Sequence, residues 1–173
     1  MSRDTHVGPV TTPPQYQKIL DYIDIAKKEG ATCILGGEPH NGPGGQFVQP
    51  TIFTGVDNAM RIAQEEVFGP VLSVIPFDTE EDAIRIGNDI NFGLAAGVWT
   101  SDIGRALRMP DKLKVGTVWV NTYRAVSFTS PFGGYKRSGI GRESGIDAIK
   151  EYLQTKSVWI AQETSVANPF VMR

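Results

Sequence analysis

The feature that most limits what this chain can fold into is an alternation running from residue 71 to residue 120. Short apolar runs, Val71 to Phe77, Leu94 to Trp99 and Val115 to Val120, are separated by two longer amphipathic stretches. The short runs read as strands and the longer ones as helices. Asp78 or Thr79 can cap the first helix, which extends to about Ile90, and the acidic residues of its first turn suit the helix dipole. Asn91-Phe92-Gly93 turns the chain, Ser101 or Asp102 starts the second helix, and Pro110 is expected to end it. Strand, helix and strand in repetition predict βαβ units with right-handed crossovers. The fold class that follows is α/β: a mainly parallel sheet with flanking helices, in three layers. The runs Val71-Leu72-Ser73-Val74-Ile75 and Val118-Trp119-Val120 fit strands covered on both faces.

The flanking segments extend this scheme. After Pro13-Pro14, which suit a helix start, Tyr16, Ile19, Leu20, Ile23 and Ala26 recur at helical spacing and predict a helix from about Gln15 to Glu29, stopped by Gly30. Ala31 to Leu35 reads as a buried strand. Gly36 to Gly45 holds five glycines and two prolines and reads as a surface loop. Phe47 to Val56 is extended but broken at Pro50, and residues 60–66 suit a short helix. Asn121 to Gly145 is largely irregular and glycine-rich. A helix is expected from about Glu143 to Leu153, then a last strand, Ser157 to Ala161, outside the βαβ rhythm. Glu163 to Arg173 reads as a loose tail.

Composition bounds the function. A chain of 173 residues with 40% apolar content is one domain able to bury a core. Its net charge of −2, from 17 basic and 19 acidic residues, gives no electrostatic footprint for nucleic acid or an anionic membrane. No apolar run reaches the roughly 20 residues of a membrane span, and Met1 to Val10 lacks the apolar stretch of a signal peptide. The single cysteine, Cys33, cannot form an internal disulfide, and with the distant His6 and His40 it does not make a zinc cluster. A cytoplasmic setting is expected.

Single motifs do not identify a reaction. In Gln64-Glu65-Glu66-Val67-Phe68-Gly69-Pro70, Glu66 and Phe68 lie two apart just before a strand, so extended backbone would point both the same way. A carboxylate can accept hydrogen bonds from both hydroxyls of a ribose, and a ring beside it can pack on the attached base. From spacing alone, a surface glutamate and a core phenylalanine explain the pair as well. The segment Gly133 to Arg142 lacks the Gly-Lys-Ser/Thr of a phosphate loop, follows a loop rather than a strand, and reads as a tight structural connection whose Lys136, Arg137 and Arg142 are solvated or paired. Cys33, in an apolar run with no histidine nearby in sequence, reads as a small hydrophobe.

An ordered series of segments says more. Glu66-Val67-Phe68-Gly69-Pro70 resembles the Glu-x-Phe-Gly-Pro signature of the NAD(P)-dependent aldehyde dehydrogenase superfamily. Asn91-Phe92-Gly93-Leu94-Ala95-Ala96, then Gly116-Thr117-Val118-Trp119-Val120-Asn121, then Pro131-Phe132-Gly133-Gly134-Tyr135-Lys136-Arg137-Ser138-Gly139 are similar to family segments in the family's order. Asp4-Thr5-His6-Val7-Gly8-Pro9, Lys27-Lys28-Glu29-Gly30 and Gly36-Gly37 match as well, and the similarity covers about Asp4 to Ile160.

The resemblance implies part of a catalytic domain, over 1–153, and an oligomerisation strand with a tail, over 154–173. It implies oxidation of an aldehyde to an acid with NAD or NADP, through a cysteine thiolate and a glutamate-activated water. Glu66 matches the glutamate that holds the nicotinamide ribose, and Phe68 the aromatic at the nicotinamide side. Val126 and Phe132 match walls of the aldehyde tunnel, with Tyr123 a further candidate. The strand from about Ser157 to Ile160 matches one that joins a neighbouring subunit, so a homo-oligomer is expected, without nucleic acid or membrane.

In the family the nucleophile, the general base, the oxyanion asparagine and most cofactor contacts lie upstream of the segment that begins here near Asp4. Cys33 is at the wrong place to replace the nucleophile, and Asn121 does not match the oxyanion residue. The chain is therefore expected to be a fragment without activity of its own: a truncated reading frame, a split gene or an expressed piece. The alternative is a non-catalytic module that pairs its terminal strand with a full-length subunit or with itself.

Overall fold

The computed structural model describes residues 6–40, 45–162 and 170. Helix α1 (Pro13–Lys28) begins with Pro13 at a position where a missing N–H leaves no gap, and ends with Lys27 and Lys28 against the negative end of its dipole. Gly30, at φ +99°, then reverses the chain as only glycine does readily. Strands β1 (Thr32–Leu35), β2 (Pro39–His40), β3 (Phe47–Val48) and β4 (Thr51–Thr54) follow, then the one-turn helix α2 (Arg61–Gln64) and β5 (Val71–Ser73). The predicted alternation comes next: α3 (Glu80–Asn88), β6 (Phe92–Gly93), β7 (Ala95–Val98), α4 (Ile103–Lys112) and β8 (Thr117–Val120). A short β9 (Tyr135–Lys136) and a 3₁₀ helix (Ile146–Tyr152) complete the ordered elements.

Two parallel pairs carry the α/β character. β4 lies parallel to β5, with Thr51 opposite Val71, and β7 lies parallel to β8, with Ala95 opposite Thr117 and Val98 opposite Val120. β7, α4 and β8 form one βαβ unit. β1 adds antiparallel to β4 as the edge of a sheet ordered β1-β4-β5. β2 with β3, and β6 with β9, are short antiparallel pairs.

The core sits where α1 crosses β4. Ile19, Ile23 and Ala26 of the predicted stripe are buried against Ala31, Val48, Phe53, Val56 and Ile62, while Tyr16 and Leu20 pack partly on the cluster. Phe53 is 0% exposed, and burying a ring of that size contributes on the order of 1.5–3 kcal/mol. Among the described residues no helix is long and apolar enough to cross a membrane.

Several expectations change. Residues 31–35 are not a buried strand: β1 is an edge, and Ile34 and Leu35 are exposed. Leu72 of β5 is likewise exposed, so β5 is covered on one face only. The loop from Gly36 carries β2, because Pro39 and His40 pair with Val48 and Phe47; residues 41–44 lie outside the described residues. Phe92-Gly93 is a strand pairing with Lys136-Tyr135 and not only a turn. Pro110 sits inside α4, near its end, where its missing N–H removes a single bond and the helix continues to Lys112.

No α-helix forms from Glu143. Glu143 is held in a bridge with Phe132, and Ser144 and Gly145 both have positive φ, so the chain turns before a 3₁₀ helix starts at Ile146. Residues 157–161 form no strand, since among the described residues no other strand lies beside them. Of the expected tail, only Phe170 is among the described residues, and so of the first family-like segment are only His6 to Pro9.

Candidate functional site

The site begins with the connection from α2 to β5. Sequence presents Glu65 and Glu66 as adjacent carboxylates, and the fold gives them different surroundings. Glu65 is locked: Arg61 Nε and Nη2 donate to its two oxygens at 2.8 and 2.9 Å, and the Tyr22 hydroxyl donates to the same carboxylate. The Arg61 guanidinium first, and then the Tyr22 hydroxyl, hold the Glu65 carboxyl down at about 2, from an ordinary 4.5. The shared proton donor shows the reciprocal effect, since the Glu65 carboxylate beside it raises the Tyr22 phenol. Glu66 is exposed, outside this cluster.

Phe68 is not a core phenylalanine. Its ring is 74% exposed, and its backbone lies in the left-handed region at φ +55°. That conformation is uncommon for a residue with a Cβ. It also overturns the premise that Glu66 and Phe68 share a side because the segment is extended. Three consecutive carbonyls here face α1. Gln15 Nε2 donates to Val67 O at 2.9 Å and to Phe68 O at 3.1 Å, and Lys18 Nζ donates to Glu66 O at 2.7 Å. Gly69 lies so close to Ile19 that a Cβ there would stand 2.6 Å from its Cδ1.

A second feature is a cavity of about 740 Å³ beside the end of β8. Its walls include Trp119, Val126, Phe128 and Phe132. Val126 and Phe132 thus line one space. Tyr123 does not line it; its ring packs edge-on against Trp119, with centroids 5.8 Å apart. Sequence reasoning missed Trp119 and Phe128. The signal for Trp119 was present, because Thr117 and Trp119 alternate along β8 and both line the cavity. Trp119 Nε1 also donates to Ala125 O at 2.8 Å, which fixes the wall loop to the strand. Asn121, at φ +53°, ties the end of β8 to that of β7: its side chain accepts from Thr100 N and donates to Thr100 O, both at 2.8 Å. The concavity beside Glu66 and the one beside Phe132 share Leu94 and Ser138 as lining residues.

The glycine-rich segment is structural. Lys136 Nζ donates to the carbonyls of Asn88 and Ile90, and Arg142 Nη1 to those of Gly134 and Gly141, with its guanidinium 5.3 Å from the Tyr135 ring centre. Gly116 is required by close approach, since a Cβ there would lie 1.7 Å from Gly133 O. Cys33 Sγ donates to the carbonyl of Leu35 at 3.3 Å and packs against the core cluster.

The profile of the aldehyde dehydrogenase family matches residues 1–158. The chain belongs to that family. An aldehyde dehydrogenase of Emericella nidulans is 48% identical over 156 residues, covering 90% of this chain and 31% of its own length. A betaine aldehyde dehydrogenase of Mesorhizobium japonicum is 46% identical over 170 residues, covering 96% and 35%. The solved NAD+ complex of an aldehyde dehydrogenase from Bacillus cereus superposes with a TM-score of 0.88 at 47% identity, over 94% of this chain and 33% of that one. The chain spans about a third of the length of the curated relatives it matches, and its α/β framework is that of part of the catalytic domain.

Proposed function

We propose that this chain supplies the nicotinamide-ribose contact and one wall of the aldehyde tunnel to an NAD(P)-dependent aldehyde dehydrogenase, and does not oxidise aldehydes alone. The observation that carries the reading is the pairing of Glu66 with an outward-facing Phe68 on a loop held from behind by α1. An exposed carboxylate suits the two hydroxyls of a ribose, and an exposed ring suits the attached base. The cofactor, when bound, accepts a hydride, and the protein's task is to orient it. Glu66 and Phe68 would do that here, while Val126, Phe132 and Trp119 would exclude water from an apolar aldehyde. Tyr123 acts by backing Trp119.

The surroundings of Cys33 support the inactivity of the chain. A nucleophilic cysteine needs a partner that favours its thiolate, whereas this thiol hydrogen-bonds a backbone carbonyl on an edge strand. The purified chain is expected to form no NADH from NAD+ and an aldehyde. Aldehyde-dependent NADH that survives Cys33→Ala would sink this reading. Millimolar nicotinamide mononucleotide is expected to shift the amide resonances of Glu66 and Phe68, and Glu66→Ala to abolish the shift.

A second reading is favoured by the segment after the 3₁₀ helix. Val158, Trp159 and Ile160 are exposed, Trp159 at 93%, and among the described residues no strand lies beside them. Backbone groups of an unpaired strand are a template for another chain. In this reading the segment from about Ser157 to Ile160 pairs with a second subunit, and a strictly monomeric elution profile would count against it.

A further inference from the structure

The stretch that builds the wall beside β8 is almost without charge. From Val115 to Tyr135 the chain carries a single charged side chain, Arg124. It stands between the two contacts that fasten the wall to Trp119. The Tyr123 ring packs against the indole just before it, and the Ala125 carbonyl accepts from Trp119 Nε1 just after it. The backbone of Arg124 is thereby pinned at the rim of the cavity, whose wall continues through Ala125, Val126 and Ser127. The position is strained, because φ is +56°, in the left-handed region. Such strain persists only where surroundings fix it, and it gathers at ligand sites. Arg142, on the glycine-rich side, spends its guanidinium on two carbonyls. Arg124 is exposed, and among the described residues its guanidinium has no hydrogen bond or ion pair.

We propose that Arg124 is a specificity-determining residue that selects aldehydes with an apolar body and a carboxylate at the end away from the aldehyde group. The inference rests on reading the cavity as one wall of the aldehyde tunnel. Trp119, Val126, Phe128 and Phe132 suit the apolar body, and they serve a neutral aldehyde as well as a charged one. The guanidinium adds the discrimination. Its planar fork of N–H groups matches both oxygens of a carboxylate, and such charge-assisted pairs are stronger than neutral ones. The carboxylate that lines the cavity, Glu143, is held beside Phe132 by a backbone bridge, whereas Arg124 is held beside Trp119. A like charge on the Phe132 side disfavours the reversed orientation of an anionic ligand.

The test uses the full 173-residue chain, isotopically labelled and titrated with 4-acetylbenzoate or acetophenone at millimolar concentration. These ketones keep the shape of a carboxylated and a plain aromatic aldehyde but condense poorly with lysine amines. The Trp119 indole N–H resonance reports on the wall. The wild type is expected to bind 4-acetylbenzoate about fivefold more tightly than acetophenone, the size of effect an exposed ion pair gives. Arg124→Gln removes the charge and is expected to bind both ketones alike. Arg124→Gly removes it too and suits a positive φ, so it supplies a second variant if Arg124→Gln fails to fold. Arg124→Lys should keep part of the preference. Equal binding of the two ketones by the wild type, or a preference that survives in the charge-free variants, would overturn selection by Arg124 and leave the tunnel wall standing. A Trp119 resonance that neither ketone moves would overturn the tunnel reading itself, and this inference with it.

Discussion

Gly116 is a residue whose identity is set by a single distance. With the Gly133 carbonyl oxygen 1.7 Å from where a Cβ would stand, Gly116→Ala must push one backbone segment off another. Overpacking against backbone is expected to destabilise by about 3 kcal/mol or more, read as a lower midpoint in urea unfolding. An unchanged midpoint would mean that the contact between β8 and the glycine-rich segment is looser than described. Glu65 gives a pH-dependent case. Its folded pKa, about 2, lies below the ordinary 4.5, so its contribution is fully present above 4.5 and is lost as pH falls toward 2. The stability advantage of the wild type over Glu65→Gln is expected to shrink across that window, and a difference flat with pH would refute it. At this scale the sequence was legible where a residue acts through its neighbours in the chain. Thr79 and Asp102, among the alternatives read as helix caps, do accept the first-turn amides. The Tyr22–Glu65 and Gln15–Val67 contacts join residues 43 and 52 positions apart, and no local spacing could announce them.

The elements divide by where their packing comes from. α1 was readable because a stripe of Ile19, Ile23 and Ala26 at helical period has to be buried, and it is. The expected helix at 143–153 failed because its apolar residues, Ile146, Ile149 and Tyr152, stay exposed and are not packed into the core among the described residues, leaving a 3₁₀ helix. The terminal segment is the same case for a strand: an apolar run with no strand beside it among the described residues does not form a ladder. If residues 157–160 pair with a second subunit, Val158→Pro removes a ladder N–H and is expected to convert a dimer or larger species to monomer in sedimentation. Association unaltered by the proline would place the contact elsewhere. The lining of the cavity beside β8 was partly legible in the same way. Val126 and Phe132 were found through family likeness, whereas the positions of Trp119 and Phe128 depend on how the loop folds back on β8.

On the scale of the whole molecule, fold class was legible because βαβ alternation leaves few ways to bury apolar strands. What could not be read was how unevenly the chain distributes its interior. The buried cluster belongs to α1, β3, β4 and α2 with their joining turns, while beyond β5 Met109 is the one fully buried hydrophobic among the described residues. The α3–α4 half is joined instead by surface groups, with Glu80 taken by both Arg105 and Arg108 and Asn88 bonded to Lys112 O and Lys114 N. Such bonds resist solvent poorly compared with a packed interior. In amide hydrogen exchange, Phe53 and Ile23 are expected to open only with global unfolding, and Val98 and Val120 at a distinctly lower free energy. A single opening energy for both would show the chain to be one cooperative unit. Two energies would make this polypeptide a pair of foldons, one that stands alone and one that waits for its surroundings to complete it.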